Sequence, residues 1–451
     1  MMHTVWTHLQ RTAAVVVMLA VLVPAAVAQT APEGAPDPGL VLEALRVLQT
    51  NYVDQVDATK VLNAATEALR KALSAAGIAA TLDVIPPGLS EAEARRAFIA
   101  QFAAAGAAAG TQLTPTQLAY IAIRGMTESF SDSHVGFLTP EANRERRERQ
   151  RGQAGFTGVG IILRTLESKF YVSSVVPGGP AEQVGVHDFD RILRINATST
   201  EGMQIDQVSG MIRGPAGTPV TLTLQRGGAS SPVVATITRA PIVIPSIFRA
   251  ELLDGGIGYI RLFQFVERTG ADFRTAVTRL MERQMRALIV DLRGNSGGYL
   301  NELNIVLNTI LPAGLPVYTE MRRAVPARVV TTTGTPLLPP AMPLTILVDD
   351  GSASAAELLS AAVQENRRGQ LVGGKTAGAV EASIMINLSD GSALSVTTFR
   401  LASGKGVRLE GTGVTPDVEA AMTPAEFDAG TDRPLGTAIR LVRQILALPA
   451  R

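Results

Sequence analysis

Two short tracts, each a strand running into a tight turn, carry residue types suited to nucleophilic chemistry. In ILVDDGSASAAELLSAAV an apolar strand gives way to a turn at Gly351, and a helix starts at Ser354. A hydroxyl at a helix N-terminus lies beside backbone N–H groups that stabilise an anion. In LIVDLRGNSGGYL a buried strand ends at Asp291–Arg293 and opens into the glycine-rich loop Gly294–Gly298, whose amides can converge on a developing oxyanion. Each tract also has a plain structural reading. Ser354-Ala-Ala-Glu357 is a capping box that any helix can use, and the glycine run is an ordinary strand-to-helix turn. Both tracts fall at the carboxyl ends of strands in an α/β pattern, where open-sheet active sites collect.

A serine nucleophile needs a base. The chain has no Cys and four His: His3, His8, His134 and His187. The absent Cys excludes thiol nucleophiles, disulfides, Cys-ligated zinc and a lipoprotein anchor. So few imidazoles, with no H-E-x-x-H, argue against a His-rich metal site, and neither a metal nor a cofactor is expected. His187 lies on a turn in VGVHDFDRIL and reads as inert. His134, in FSDSHVGFL, reads as a turn or capping residue or as a base. The competing bases are Lys375 and Lys405, the lysines of the α/β part.

Lys375 belongs to GQLVGGKT, which satisfies the G-x-x-x-x-G-K-T expression of a nucleotide-binding loop. A phosphate loop joins a strand to a helix whose N-terminus faces the phosphates. Here Gln370-Leu371-Val372 reads as strand, and AGAVEASIMINL after Thr376 has no helical period. The match is therefore formal, and no nucleotide is expected. A net charge of +1 on 451 residues gives no electrostatic case for nucleic acid. The RERRERQR run, Arg144–Arg151, reads as a solvated helical face.

These residues must be carried by a larger scaffold, and the chain changes texture three times. Residues 1–28 read as a signal peptide: Ala13–Ala28 is an apolar stretch of 16 residues, short for a membrane span, closing on the cleavage pattern Ala26-Val27-Ala28. An uncleaved anchor is the alternative, and either way the working part lies outside the cytoplasm, periplasmic or secreted. Residues 29–150 combine a Pro/Gly linker, Thr30–Gly39, with a helical region. Leu42, Leu45, Leu48 and Tyr52 recur at helical steps, and Ser90 with Glu93 forms a capping box. The Ala/Gly tract Ala103–Gly110 reads as a loose connection. Residues 155–240 are a β-rich module interrupted by one helix, MQIDQVSGMIRG. Residues 241–420 alternate strand and helix, the signature of an α/β domain with a largely parallel sheet, and residues 421–451 hold a final amphipathic helix.

Taken together, GSASAAELLSAAVQENRRGQLVGGKTAG, VDLRGNSGG and LEGTGVTPDVE resemble the C-terminal processing and tricorn-type serine peptidases. The β-rich module is similar to their PDZ domain, with FTGVGIIL as its carboxylate-binding loop. The resemblance implies a ClpP/crotonase-like α/β core carrying a PDZ domain behind an N-terminal helical region. It implies Ser354 as nucleophile, with Gly297 and the Ala355 amide as oxyanion donors. The processing branch places a Lys in a T-F-G-K-G-type tract, which here reads Thr376-Ala377-Gly378-Ala379-Val380, so Ala379 stands where that Lys would be. The tricorn-like branch uses His instead, and implies His134 as base, Ser133 orienting it and Glu410 behind Ser133. Gly158, Val159, Gly160 and Ile161 would hold a peptide or C-terminal carboxylate. The expected activity is serine endopeptidase action on protein or peptide substrates. The alternatives are an inactive peptide-binding scaffold and a peptidase that uses Lys375.

Overall fold

The computed structural model describes residues 37–130, 132, 134–150 and 156–447. The signal, most of the linker and Ser133 therefore lie outside the described residues.

Four helices, Gly39–Asn51, Ala58–Ala75, Glu91–Ala109 and Pro115–Glu128, form the front bundle. Their starts follow local chemistry. Asp57 accepts from the Lys60 N–H, Ser90 and Glu93 cap reciprocally as expected, and Thr114 does the same with Gln117 ahead of Pro115. The tract Ala103–Gly110 is a correction: it is not a loose connection but the last turns of the third helix. Alanine is the strongest helix former, and Phe98, Phe102, Ala105 and Ala109 bury one face. The helix stops at Gly110, whose φ of +55° suits a residue without Cβ. The Arg-rich run lies on a further helix, Pro140–Gln150, as expected up to that residue; Arg151 is outside the described residues.

The β-rich module is an antiparallel sheet in the order Ile161–Leu166, Lys169–Val175, Arg191–Ile195, Pro219–Gln225, Val233–Thr238. The helix Ile205–Ile212 lies where the sequence placed it. The strand Ile161–Leu166 is an edge, with one neighbour only.

The α/β part is a six-stranded sheet. Ile257–Leu262, Ala287–Asp291, Leu344–Val348, Gln370–Gly373 and Val418–Glu419 run parallel, and Ile247–Leu253 adds an antiparallel edge. Ala287–Asp291 and Leu344–Val348 are buried at every residue, as parallel strands covered on both faces must be. The helices Thr269–Glu282, Leu300–Ile310 and Ala355–Glu365 pack into the larger core, and the C-terminal helix Arg433–Ala447 into the smaller. Each fully buried Leu, Ile or Val there contributes about 1.5–3 kcal/mol.

A second sheet joins front to back. The strand Ala393–Ser403 pairs with Ala382–Asn387, with Pro316–Arg322 and with the three-residue strand Gly136–Leu138, whose register is Gly136 opposite Ser395. Leu394 and Val396 of this strand enter the core of the helical bundle. The Val53 N–H donates to the Thr397 carbonyl at 2.8 Å, and Arg323 donates to the carbonyls of Gln49, Thr50 and Asp54. This union carries the segment around His134 back to the peptidase-like core.

Candidate active site

Ser354 sits at φ +54°, ψ −118°, a conformation that costs a residue with a Cβ about 1–3 kcal/mol and persists only where neighbours enforce it. The enforcing groups are visible. The Ser354 N–H donates to the Ala379 carbonyl at 2.8 Å and to Glu357 Oε2 at 3.1 Å. The Ala353 N–H donates to the Asn295 carbonyl at 2.9 Å. The helix that follows is buried from Ala355 through Val363. Glu357 does more than cap that helix. Its wholly buried carboxylate also accepts from Thr376 Oγ1 at 2.5 Å, Gly378 N at 2.8 Å and Ala379 N at 2.9 Å. One carboxylate thus fixes the Ser354 backbone and the loop beside it. The element that follows Thr376 is the strand Ala382–Asn387 rather than a helix, so the phosphate-loop pattern has no dipole behind it.

The glycine loop lies directly against Ser354. A Cβ on Gly297, whose φ is +90°, would stand 2.6 Å from Ser354 Cβ and 2.8 Å from the Ala355 nitrogen, so only glycine fits. The two predicted oxyanion donors differ in state. The Ala355 N–H, first in its helix, has no acceptor among the described residues. The Gly297 N–H instead donates to Asn295 Oδ1 at 2.8 Å, while the next amide along, Gly298, has no acceptor among the described residues. Asn295 also donates to the Leu262 carbonyl at 2.9 Å and so staples the loop to the sheet. Its side-chain role was not read from the sequence, although it lies inside the motif. Below the loop, Arg293 makes paired hydrogen bonds to Asp291 and Asp432 in a buried network that Tyr259 completes. Burial pushes the Asp291 carboxyl up, but the Arg293 charge and its hydrogen bonds outweigh this and hold it at about 2.

The imidazole of His134 reaches this region through the Gly136–Ser395 pairing. Glu410 Oε2 accepts from the Val380 N–H at 2.7 Å and the Glu381 N–H at 3.1 Å. Residues 379–381 are therefore a short bridge: Ala379 holds Ser354, and the next two amides hold Glu410. His134 feels the charges of both Glu410 and Glu381. No hydrogen bond joins His134 to Ser354 among the described residues. Asp132 is the neighbour that sequence reasoning missed. Its Oδ1 accepts from the His134 backbone N–H at 2.9 Å and lies 3.5 Å from Nδ1, an ion-pair separation rather than a formed hydrogen bond. The Asp132 carboxylate facing Nδ1 raises the His134 pKa above its ordinary value; burial opposes this and the surrounding carboxylates add to it. For Asp132, burial pushes upward, but the His134 backbone N–H and the neighbouring His134 and Thr397 side chains outweigh it and bring it down to about 2. A carboxylate two residues before a histidine was the available signal.

Lys375 points elsewhere. It is exposed and lines a cavity of about 320 Å³ with Arg164, Asp349, Gly294 and Phe427, between the β-rich module and the carboxyl ends of the parallel strands. Neither Ser354 nor His134 lines that cavity. His187 is exposed, in agreement with the sequence reading. Gly158, Val159, Gly160 and Ile161 line a groove between the edge strand and the helix Ile205–Ile212.

The comparisons with known proteins agree with this geometry. Residues 256–420 match peptidase family S41, and residues 171–226 match the PDZ domain. The chain is 32% identical over 321 residues to a carboxy-terminal-processing protease of Bartonella bacilliformis, covering 70% of this chain and 72% of the relative. It is 28% identical over 309 residues to the carboxy-terminal processing protease CtpA of Bacillus subtilis, covering 67% and 63%. Among solved structures, the photosystem II D1 C-terminal processing protease superposes with a TM-score of 0.53 at 27% identity, covering 85% of this chain and 93% of that one. The fold, the seated serine and these similarities lead to one conclusion: the chain belongs to peptidase family S41 and is a serine-type peptidase with a PDZ domain.

Proposed function

We propose that this peptidase is an exported serine endopeptidase whose base is His134. The observation that carries the reading is the pairing of Gly136–Leu138 with Ala393–Ser395, which sets His134 beside Glu381 and Glu410 on the bridge that holds Ser354. Ser354 Oγ attacks the scissile carbonyl carbon as its proton passes to His134. The oxyanion forms beside the Ala355 N–H and the amides of the glycine loop. Collapse breaks the C–N bond, His134 protonates the leaving amine, and an ester remains on Ser354. A water molecule, deprotonated by His134, then hydrolyses the ester. Asp132 faces Nδ1 and positions the ring, joining Ser133 and Glu410 in that role. With Ala379 at the position of the usual lysine and Lys375 lining a separate cavity, His134 is the better-supported base.

Substrates reach the site as extended chains. The edge strand Ile161–Leu166 offers strand addition, and the amides of Gly158–Ile161 offer capture of a C-terminal carboxylate. Export rests on Ala13–Ala28 and the pattern that ends at Ala28. No helix of the described residues is long and apolar enough to cross a membrane.

The decisive experiment combines fluorophosphonate labelling with cleavage of an unfolded protein substrate by wild type, Ser354→Ala, His134→Ala and Lys375→Ala. Labelling lost in Ser354→Ala and cleavage lost in His134→Ala support the reading. Cleavage that survives in His134→Ala but disappears in Lys375→Ala overturns it.

A further inference from the structure

Of the buried side-chain atoms without a hydrogen-bond partner among the described residues, four gather at one place: Asp132 Oδ2, His134 Nδ1, Thr397 Oγ1 and Arg400 Nε. The Asp132 side chain is 5% exposed and Thr397 is fully buried. These atoms face polar groups of the same cluster without closing hydrogen bonds: Arg400 Nε stands 3.4 Å from Glu381 Oε1, His134 Nδ1 3.5 Å from Asp132 Oδ1, and the Thr397 and Tyr52 side chains neighbour Asp132. A convergent, incompletely bonded group of this kind marks a place where something polar binds. The charges there are unbalanced. Asp132, Glu381, Glu410 and Asp54 supply four carboxylates, against the guanidiniums of Arg400 and Arg408. One ligand atom each from Asp132, His134 and Glu381 lie within 4.8 Å of one another.

We propose that Asp132, His134 and Glu381 form an inhibitory site for a divalent transition-metal ion such as Zn2+. One imidazole nitrogen and two carboxylate oxygens suit zinc, with a fourth position for water. Ligand atoms around a tetrahedral zinc stand about 3.3 Å apart, so binding draws the three side chains together by about 1.5 Å or less per pair. Glu381, 9% exposed, stands at the end of the 379–381 bridge with a carboxylate oxygen within 4.8 Å of the Asp132 and His134 ligand atoms. A metal on Nδ1, the nitrogen that Asp132 faces, leaves the proton of the neutral imidazole on Nε2, so His134 loses the free lone pair it needs as a base, and the metal takes the carboxylate that positions the ring. Counting histidines could not show this site, because two of its three ligands are carboxylates brought in by tertiary pairing.

The metal site does not require the peptidase mechanism, but inhibition through it rests on His134 being the base. Equilibrium dialysis of full-length Ser354→Ala protein with Zn2+ alone measures binding without turnover. The expected result is one bound Zn2+, weakened at least about tenfold when Glu381→Gln or His134→Ala is added. In parallel, Zn2+ is titrated against cleavage by wild type and Glu381→Gln, each relative to its own rate in EDTA. Inhibition that weakens about tenfold in Glu381→Gln supports the proposal. Zn2+ binding or inhibition that is unchanged in the Glu381 variant, or binding without inhibition, overturns it. Glutamate-dependent binding in a chain that shows no cleavage in EDTA would leave the metal site standing and remove the peptidase mechanism instead.

Discussion

Around Ser354 the backbone is held by many hydrogen bonds: Glu357 alone meets four donors, and the Ser354 amide has two acceptors. Around His134, buried atoms of Asp132, His134, Thr397 and Arg400 have no hydrogen-bond partner among the described residues, and the Asp132 carboxylate stands 3.5 Å from Nδ1. The two halves of the site are thus built differently. The half around Ser354 comes from residues close in sequence and locked by one buried carboxylate. The half around His134 is assembled from the helical front, the loop before Ala382 and the strand around Thr397, with fewer closed hydrogen bonds among the described residues. In the mechanism proposed above, the nucleophile is therefore preorganised, and adjustment on substrate binding belongs to the base side.

Four measurements test that contrast. Ser354→Ala and His134→Ala are each expected to lower kcat by about 10⁴–10⁶-fold in cleavage of an unfolded substrate, because members of such a unit fail together. A rate close to wild type in His134→Ala would dissolve the comparison. Glu357→Ala should cost about 3 kcal/mol or more in urea denaturation, since it strands several buried donors to an ionised acceptor. Asp132→Asn should lower kcat about 100-fold with KM little changed and the fold intact, the effect of a mis-set imidazole rather than of a lost core. An Asp132→Asn protein that loses stability as Glu357→Ala does would show that both halves are locked alike. The smallest effect concerns pH. The carboxylates raise the pKa of His134, and the base must be neutral, so kcat/KM should fall with acid below a limb that lies above pH 6.5. The sign for stability is opposite. A raised folded-state pKa contributes stability that is fully present below the unfolded value near 6.5 and lost as pH rises through the folded one. Asp132→Asn should move the kinetic limb to lower pH.

What the sequence made legible follows the same division. Ser354, Gly297 and the alternating strands and helices are local patterns, and their spacing survives without knowledge of tertiary contacts. Ser354 was singled out by a strand-turn-helix signature that also fits a capping box, and its expected role came from the family resemblance; the structure adds its positive φ and the Gly297 contact. Asp132 left a local signal that was not read, but the approach of Glu381 was invisible because its meeting with Asp132 depends on Gly136 finding Ser395, beside Leu394 and Val396 packed into the bundle. The hairpin Pro316–Thr331 was missed for a related reason: its outer strand, Val325–Thr331, is mostly exposed and lacks an apolar face. The Ala/Gly tract Ala103–Gly110 misled because low complexity was read as looseness where alanine's propensity decides for helix.

The fixing of Ser354 by residues 357, 376, 378 and 379 has a consequence for biosynthesis. A ribosome that has delivered the chain only as far as Lys375 has already made the attacking hydroxyl, but not the carbonyl of Ala379 or the donors that discipline Glu357. Competence therefore arrives late in translation, and a nascent or truncated product that ends before that loop carries the serine without the means to aim it.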